Sequence, residues 1–331
     1  MTTIKDIAKI AGVSHTTVSR ALNDSTLISE PTKNKIKQIA MENNYVVNTS
    51  AKSLKLQRSF NIGIFFSTFD KGTSSSFFYS AIIGANQAVG NVYNLVVRDT
   101  ASGKKSDELK KHQFDGIVLI SQSEKDNAFI KATVDKGIPI VVVNRKVNID
   151  NVSSFLSDDL SGSFKAVEYC INQGHKAIAV IMGNSEFKNT TIRFQGYKDA
   201  LATAEIPVVE SFIQNGDYTF KSGYEAMKKL LDLPQKPTAV FCLNDEMAIG
   251  AIKACMERGV RVPDEISIIG YDENEMSQYS APALTTVARH IDHITKEATQ
   301  NLIHIIEHKG NNKQVVYYDS ELIIRDSVLK L

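Results

Sequence analysis

Eight short apolar runs recur along most of this 331-residue chain, and no other feature limits its fold as strongly. They are NIGIFFS, NLVVRDT, FDGIVLIS and IPIVVVN, then AIAVIMG, VVESFIQN, AVFCLND and ISIIGYD. Between them lie stretches with apolar residues at helical spacing, among them SSFFYSAIIGANQAVG, DLSGSFKAVEYCINQG and DEMAIGAIKACMERG. Strand and helix alternating in this way predict a parallel, doubly wound α/β sheet. Eight strands exceed one comfortable sheet for this length, and the stretch from Asn151 to Asp159 has a loop-like break. Two similar α/β lobes are therefore expected.

The pattern begins at Asn61; before it the periodicity is helical. Ile4, Ile7, Ala8 and Ala11 fall at i, i+3, i+4 and i+7, which predicts an amphipathic helix, and Thr3 with Asp6 supplies a capping box. Gly12 breaks that helix where a positive φ carries no penalty, and Ser14 opens a second one carrying Val18, Ala21 and Leu22. Ser29, followed by Pro31, starts a third helix with Ile36, Ile39 and Ala40 on one seam. Three such helices can close a small all-α core of the lambda-repressor-like, helix-turn-helix kind. The polar side of the second helix would then stay exposed, as in a motif that enters the DNA major groove.

Charge divides the same way. Residues 1–58 carry nine Lys and Arg against four acids, a net of +5, whereas the rest of the chain has a net of −4. A basic head on a mildly acidic body suits a phosphate-binding module joined to a separate sensor. Runs such as IPIVVV fall far short of the ~18 to 20 apolar residues of a membrane span. The first residues lack the apolar core of a signal peptide, so the expected location is the cytosol. Cys170, Cys242 and Cys255 are widely spaced and read as buried thiols rather than metal ligands. There is no phosphate loop of the GxxxxGK[ST] kind and no GxSxG elbow, so the chain is expected to be no enzyme and to need no cofactor or metal.

TIKDIAKIAGVSHTTVSRALN, followed by Tyr45, Asn48 and SAKSLKLQRS, closely resembles the head of the LacI/GalR family of bacterial transcription regulators. The resemblance implies a helix-turn-helix domain over residues 1–46, a hinge helix over 47–59 and a two-lobed, periplasmic-binding-protein-like effector and dimerisation domain over 60–331. It implies that His15, Thr16 and Arg20 read base edges while Ser14, Thr17, Ser19, Asn23 and Tyr45 hold the DNA backbone. The chemistry agrees, since Arg suits guanine O6 and N7 and hydroxyls anchor phosphates without reading sequence. Leu54, among the small Ser50, Ala51 and Ser53, takes the place of a leucine wedged into the minor groove, where unstacking is repaid by a bend.

Ligands of open parallel sheets bind beyond the carboxyl ends of strands, and here those ends carry Asp99, Asn244, Asp245 and Asp272. Each could merely cap the next helix; together they suit a hydroxyl-rich ligand. TIRFQGYKDAL, FCLNDEMAIGAIKACMERGVRVPDEISIIGYDENE and YSAPALTTV are similar to the family's effector domain. That similarity implies sugar contacts from Arg193, Asn244 and Asp272 and an aromatic platform at Asp217-Tyr218. Arg289 stands where relatives commonly have Gln, which fits either an acidic or phosphorylated effector or a local surface salt bridge. His175 matches a structural position rather than a ligand. With no heptad tail after SELIIRDSVLKL, a homodimer on a pseudo-palindromic operator is the expectation. The function so implied is a repressor of carbohydrate-utilisation genes controlled by a sugar or sugar phosphate. The alternatives are a global carbon regulator with a phosphoprotein co-repressor and a plain solute-binding protein.

Overall fold

A computed structural model describes residues 2–22, 25–43, 45, 58–69, 73–100, 109, 112–308, 310 and 313–331, and the chain divides into two compact units, Met1–Arg58 and Ser59–Leu331. In the first, α1 (Ile4–Ala11) starts at Thr3, whose hydroxyl accepts from the Asp6 N–H at 3.4 Å while the Asp6 carboxylate accepts from the Thr3 N–H at 2.8 Å. Gly12 ends the helix at φ 69°, a conformation that would strain a residue with a Cβ. The Ser14 hydroxyl accepts from the Thr17 N–H at 3.1 Å and starts α2 (His15–Leu22). Before α3 (Glu30–Glu42) the Ser29 hydroxyl pairs with Thr32 Oγ1 at 2.9 Å and makes no backbone cap. Ile7, Ala8, Ala11, Val18, Ala21 and Ile36 form the core, with Ile4, Val13, Leu22, Ile28, Ile39 and Tyr45 packed around it.

The second unit opens with β1 (Asn61–Phe66), α4 (Ser75–Val89), β2 (Asn94–Asp99), β3 (Gly116–Ile120), α5 (Asn127–Asp135), β4 (Ile140–Val143) and β5 (Ser153–Ser157). It continues with α6 (Asp159–Asn172), β6 (Ile178–Ile181), α7 (Lys188–Thr203), β7 (Ile213–Gln214), α8 (Phe220–Leu231), β8 (Ala239–Cys242), α9 (Asp245–Glu257) and β9 (Ser267–Ile269). The last elements are α10 (Glu275–Tyr279), β10 (Thr286–Ala288), α11 (Ile291–His308), β11 (Val315–Tyr318) and β12 (Glu321–Ile323).

One lobe holds a parallel sheet in the order β11-β5-β4-β3-β1-β2; the other holds β7-β6-β8-β9, also parallel. β3 and β4 are buried along their whole length, which is why GIVLI and IVVV are unbroken apolar runs rather than alternating ones. Helices α4 and α11 cover one face of the first sheet, and they approach so closely that a Cβ at Gly84 would lie 2.0 Å from the Asp292 carbonyl oxygen. The other face packs on Phe65, Phe114, Ile117, Ile130 and their neighbours, and the second lobe has its own larger core around Val180, Tyr197, Phe241 and Met247. The chain passes between the lobes at Ser157–Asp159, at Ala288–Ile291 and at Tyr318–Glu321.

Three differences from the sequence reading have physical causes. Residues 153–157, expected within a loop, form the strand β5; its serines are buried but satisfied, Ser154 Oγ accepting from the Val147 N–H at 3.1 Å and Ser153 Oγ from the Gln314 N–H at 3.2 Å. Paired hydroxyls can therefore occupy a buried strand where apolar side chains were sought. VVESFIQN contributes only the two-residue β7, because Glu210–Phe212 is a 3-10 turn. The second lobe also carries the antiparallel pair β10-β12, so its architecture is not purely parallel.

Candidate functional site

On α2 the side chains divide by face. Val18 and Ala21 are buried, while Ser14, His15, Thr16 and Arg20 are exposed and Thr17 and Ser19 half-buried. An eight-residue helix with so little apolar surface is held by Val18, Ala21 and the partly buried Leu22 together with its serine cap, and His15, Thr16 and Arg20 face outward. Tyr45 is half-buried, packs on the core and anchors its backbone N–H on the Ala40 carbonyl at 2.8 Å. Asn23 and Leu54 lie outside the described residues.

In the second unit the strand ends of both lobes converge on a cleft whose unfilled space, open solvent at its mouth included, is about 360 Å³. Ser74 and Phe77 of α4, Gln122 after β3 and Asn144 after β4 line it from one lobe. Phe187, Asn189, Arg193, Tyr218, Asn244 and Asp272 line it from the other, with Arg289 at a crossing strand. Three of these positions are backbone conformations that side chains rarely adopt: Asn144 at φ 78°, Tyr218 at 71° and Asp272 at 111°. Asn tolerates that region; Tyr there, and Asp at a φ well beyond the left-handed helical well, mark a site held by its surroundings.

At the cavity wall two buried arginines and two carboxylates neutralise one another. Arg193 reaches Asp272 Oδ1 at 3.0 Å and Asp159 Oδ2 at 3.4 Å, donates to the Leu243 carbonyl and stacks 3.9 Å from the Tyr271 ring centroid. Arg289 reaches Asp159 Oδ1 at 3.2 Å and Asp272 Oδ1 at 3.1 Å, and donates to Ser157 Oγ at 3.1 Å and Asn144 Oδ1 at 2.5 Å. Burial pushes the Asp159 carboxyl up, but the Arg193 and Arg289 guanidiniums outweigh it and hold the group below the usual carboxylate range. Arg193 is held protonated by Asp159 and Asp272 against its own desolvation. Arg289 is only 3% exposed, so the surface salt bridge considered for it does not exist; its ion pairs are internal and face the cavity.

That network also fixes an amide. The Asn144 Nδ2 group donates to the Ser121 carbonyl at 3.1 Å, which turns Asn144 Oδ1 toward Asn189. Asn189 Nδ2 then serves both Asn144 Oδ1, at 3.1 Å, and the Asp159 carboxylate. Its Oδ1 is left buried without a partner, an acceptor aimed by its neighbours. Asn244 caps α9, accepting from the Met247 N–H at 3.0 Å, and donates to the Tyr218 carbonyl at 3.0 Å. The Tyr218 hydroxyl meets Thr190 Oγ1 at 2.7 Å, and its ring lies near-parallel to Phe187 with centroids 6.0 Å apart. Polar groups set around aromatic faces in this manner suit a ligand with many hydroxyls and an apolar C–H face.

Residues 3–48 match the family model described as bacterial regulatory proteins, lacI family, and residues 167–328 match the periplasmic binding protein-like domain. The probable HTH-type transcriptional repressor ExuR of Bacillus subtilis (strain 168) is 46% identical over 331 residues, covering 100% of this chain and 99% of its own. The chain belongs to the LacI family. It is a DNA-binding transcriptional regulator of helix-turn-helix type with a periplasmic-binding-protein-like α/β domain. The repressor PurR of Histophilus somni (strain 129Pt) is 32% identical over the full length of both chains. Among solved structures, the lac repressor dimer bound to operator and the anti-inducer ONPF matches with a TM-score of 0.81 at 25% identity over 99% of each chain. The regulator CelR in complex with cellobiose matches at 0.75 with 26% identity, covering 99% of this chain and 100% of that one. A LacI-family regulator from Enterococcus faecium with bound ribose gives 0.74 at 25% identity, over 82% of this chain and 99% of that one.

Within this LacI-family fold Arg193, Tyr218, Asn244, Asp272 and Arg289 all meet at the cavity. Asp217 does not: its Oδ1 accepts from the Thr219 N–H at 3.1 Å and hydroxyl at 2.6 Å, forming the turn before α8. Asp245, read as the cap of α9, leaves that task to Asn244 and accepts instead from Ser277 Oγ at 2.6 Å, Thr286 Oγ1 at 2.5 Å and the Asn274 N–H at 2.8 Å. Burial raises the Asp245 carboxyl to about 7, and burial with the nearby Asp272 charge does the same for Glu246. His175 is internal, with Nδ1 3.0 Å from Thr238 Oγ1 and Nε2 3.0 Å from the Leu329 carbonyl oxygen; burial lowers its pKa. Sequence reasoning missed Asn144, Asp159 and Asn189. Asn144 ends IPIVVVN and could have been found by the strand-end rule that found Asn244; nothing local marks Asp159 or Asn189.

Proposed function

We propose that this regulator is a repressor of carbohydrate-utilisation genes that binds a pseudo-palindromic operator as a homodimer in the cytoplasm and releases or grips it according to a sugar held between its lobes. The observation that carries the reading is the cavity: amides, a shared carboxylate and two guanidiniums stand around aromatic rings at the carboxyl ends of both sheets. His15, Thr16 and Arg20 are assigned to base edges and Ser14, Thr17, Ser19, Asn23 and Tyr45 to the DNA backbone, with Leu54 as the minor-groove wedge. A coupling of only ~1 to 3 kcal/mol between sugar and operator suffices for control. The chain acts by binding alone, without catalysis or a cofactor.

Arg193, Asn244, Asp272 and Asn189 take sugar hydroxyls in this reading, Tyr218 offers its ring, and Arg289 distinguishes neutral from acidic ligands. The test is a thermal-shift and gel-shift screen of the full chain with matched ligands: D-galactose against D-galacturonate, D-glucose against glucose 6-phosphate, then D-ribose and cellobiose. At least one is expected to raise the melting temperature and to change operator retention. A chain that binds operator but responds to none of them defeats the sugar reading and favours a protein co-repressor. A chain that binds sugar and no operator DNA defeats the repressor.

A further inference from the structure

We propose that Glu124 and Lys125 on one lobe and Glu186 and Lys188 on the other form a latch that holds the cleft shut, and so prolongs the stay of a ligand in the cavity. The second half of that statement rests on the cavity being the ligand site; the first does not.

The loop after β3 in one lobe faces the loop after β6 in the other. Lys125 Nζ lies 2.7 Å from Glu186 Oε1, and Lys188 Nζ lies 3.8 Å from Glu124 Oε1. Between these reciprocal pairs the Lys188 N–H donates to the Gln122 carbonyl at 2.9 Å. Gln122 and Phe187 line the cavity, so the latch stands at its lip, outside the buried cluster of Arg193, Arg289, Asp159 and Asp272. Each loop thus presents an acid and a base in the order that matches the other, and reversing one charge would set like against like.

The exposure of these groups sets what they can do. Lys125, Glu186, Lys188 and Glu124 retain 73%, 59%, 48% and 71% of their side-chain surface, and both pairs are therefore weak and screened by salt. Breaking and remaking them carries little desolvation penalty, unlike the internal pairs. A weak, solvent-facing, doubly paired contact across two rigid bodies is suited to biasing an opening equilibrium by a few fold without locking it. The buried cluster fixes what fits and ties the lobes through Asn144; the latch adds a weaker, salt-sensitive hold at the lip.

The test needs no ligand. Spin labels are placed at Lys131→Cys on α5 and Ala202→Cys on α7, both exposed, while the native cysteines are buried. Labelled chain is mixed with excess unlabelled chain so that only distances within one chain are read. The short, closed distance is expected to dominate at low ionic strength and to lose ground in about 0.5 M NaCl. Glu186→Lys is expected to lower the closed-to-open ratio about 3- to 10-fold, and the swap Lys125→Glu with Glu186→Lys to restore it to within about twofold. Glu186→Gln, milder and equally exposed, gives about a twofold loss and guards against misfolding of the reversal. Distances unchanged in Glu186→Lys, or not restored by the swap, overturn the latch. Titration of the same chains with D-galacturonate, D-ribose and cellobiose then separates the two ideas. Dissociation of a bound sugar should quicken in Glu186→Lys and recover in the swap; if none binds, the cavity reading fails while the label distances still decide the latch.

Discussion

The polar face of α2 and the wall of the cavity both carry groups suited to recognition, but they are built in opposite ways. His15, Thr16 and Arg20 stand exposed on a helix that its inward residues and its serine cap fix in place. At the cavity wall Arg193 and Arg289 are 2% and 3% exposed, and each is bound to partners far away in sequence. A DNA groove is a preformed, charged surface that meets side chains one at a time, so independence is tolerated there. A small ligand must be enclosed, and enclosure forces the charged groups of the wall to be satisfied by one another, with Asn189 Oδ1 the acceptor left over. Substitutions on the head should therefore act singly on affinity; substitutions at the cavity should act on the fold first.

Removing Met1–Arg58 breaks the comparison most completely: operator binding should vanish in a gel shift while ligand-induced thermal shifts of the remaining unit persist, and loss of both would show that the two units do not act separately. Next in size, Asp159→Ala leaves two buried guanidiniums without their common carboxylate and should destabilise the second unit by ~3 to 5 kcal/mol in urea denaturation. Arg20→Ala should instead leave the denaturation midpoint unchanged and weaken operator binding by ~1 to 3 kcal/mol, with relaxed preference at one base position. A midpoint that moved with Arg20 would mean that α2 is not split into an inner and an outer face.

The smallest effect is that of pH. Glu246 and Asp245 have folded pKa values raised to about 7, above the unfolded value of about 4, so the folded state binds their protons more tightly. Their contribution is fully present below about pH 4 and is lost as pH rises through about 7. Stability of the second unit should thus fall between about pH 4 and about pH 7 and level off above that, and Glu246→Gln, which removes one of the two titrating groups, should flatten part of that slope. The head has no group of this kind among its described residues, so its own unfolding should be flat over the same range. Equal slopes for the two units would contradict the burial argument.

The same contrast explains what could be read in advance. On the head, period, cap and turn are local properties, and Thr3, Gly12 and Ser14 do what their neighbours in sequence indicate. Strand ends gave Asn244 and Asp272, because a parallel sheet delivers its carboxyl ends to one side whatever the loops contain. Asp217 misled since a carboxylate two residues before a helix cap serves its own turn equally well. Asp159 and Asn189 were invisible because their roles arise from partners across the fold: Asp159 is bracketed by Arg193 and Arg289, and Asn189 is oriented by Asn144. The strand β5 escaped because its buried serines carry no apolar signal and are satisfied by partners outside the strand: Ser153 by the Gln314 N–H before β11, Ser154 by the Val147 N–H and Ser157 by Asp159.

The late arrival of β11 has a consequence for synthesis. β11 pairs with β5 across more than half of the sheet-forming chain, and the residues after it return to the other lobe, ending with the Leu331 N–H on the Gln173 carbonyl. The helical head is closed by contacts among residues 4–45, whereas neither lobe can close its hydrogen bonding before residues 315–331 emerge from the ribosome. Newly made chains should therefore acquire a folded DNA reader well before they acquire a ligand cavity, and a truncated product lacking its last residues would carry the reader without its control.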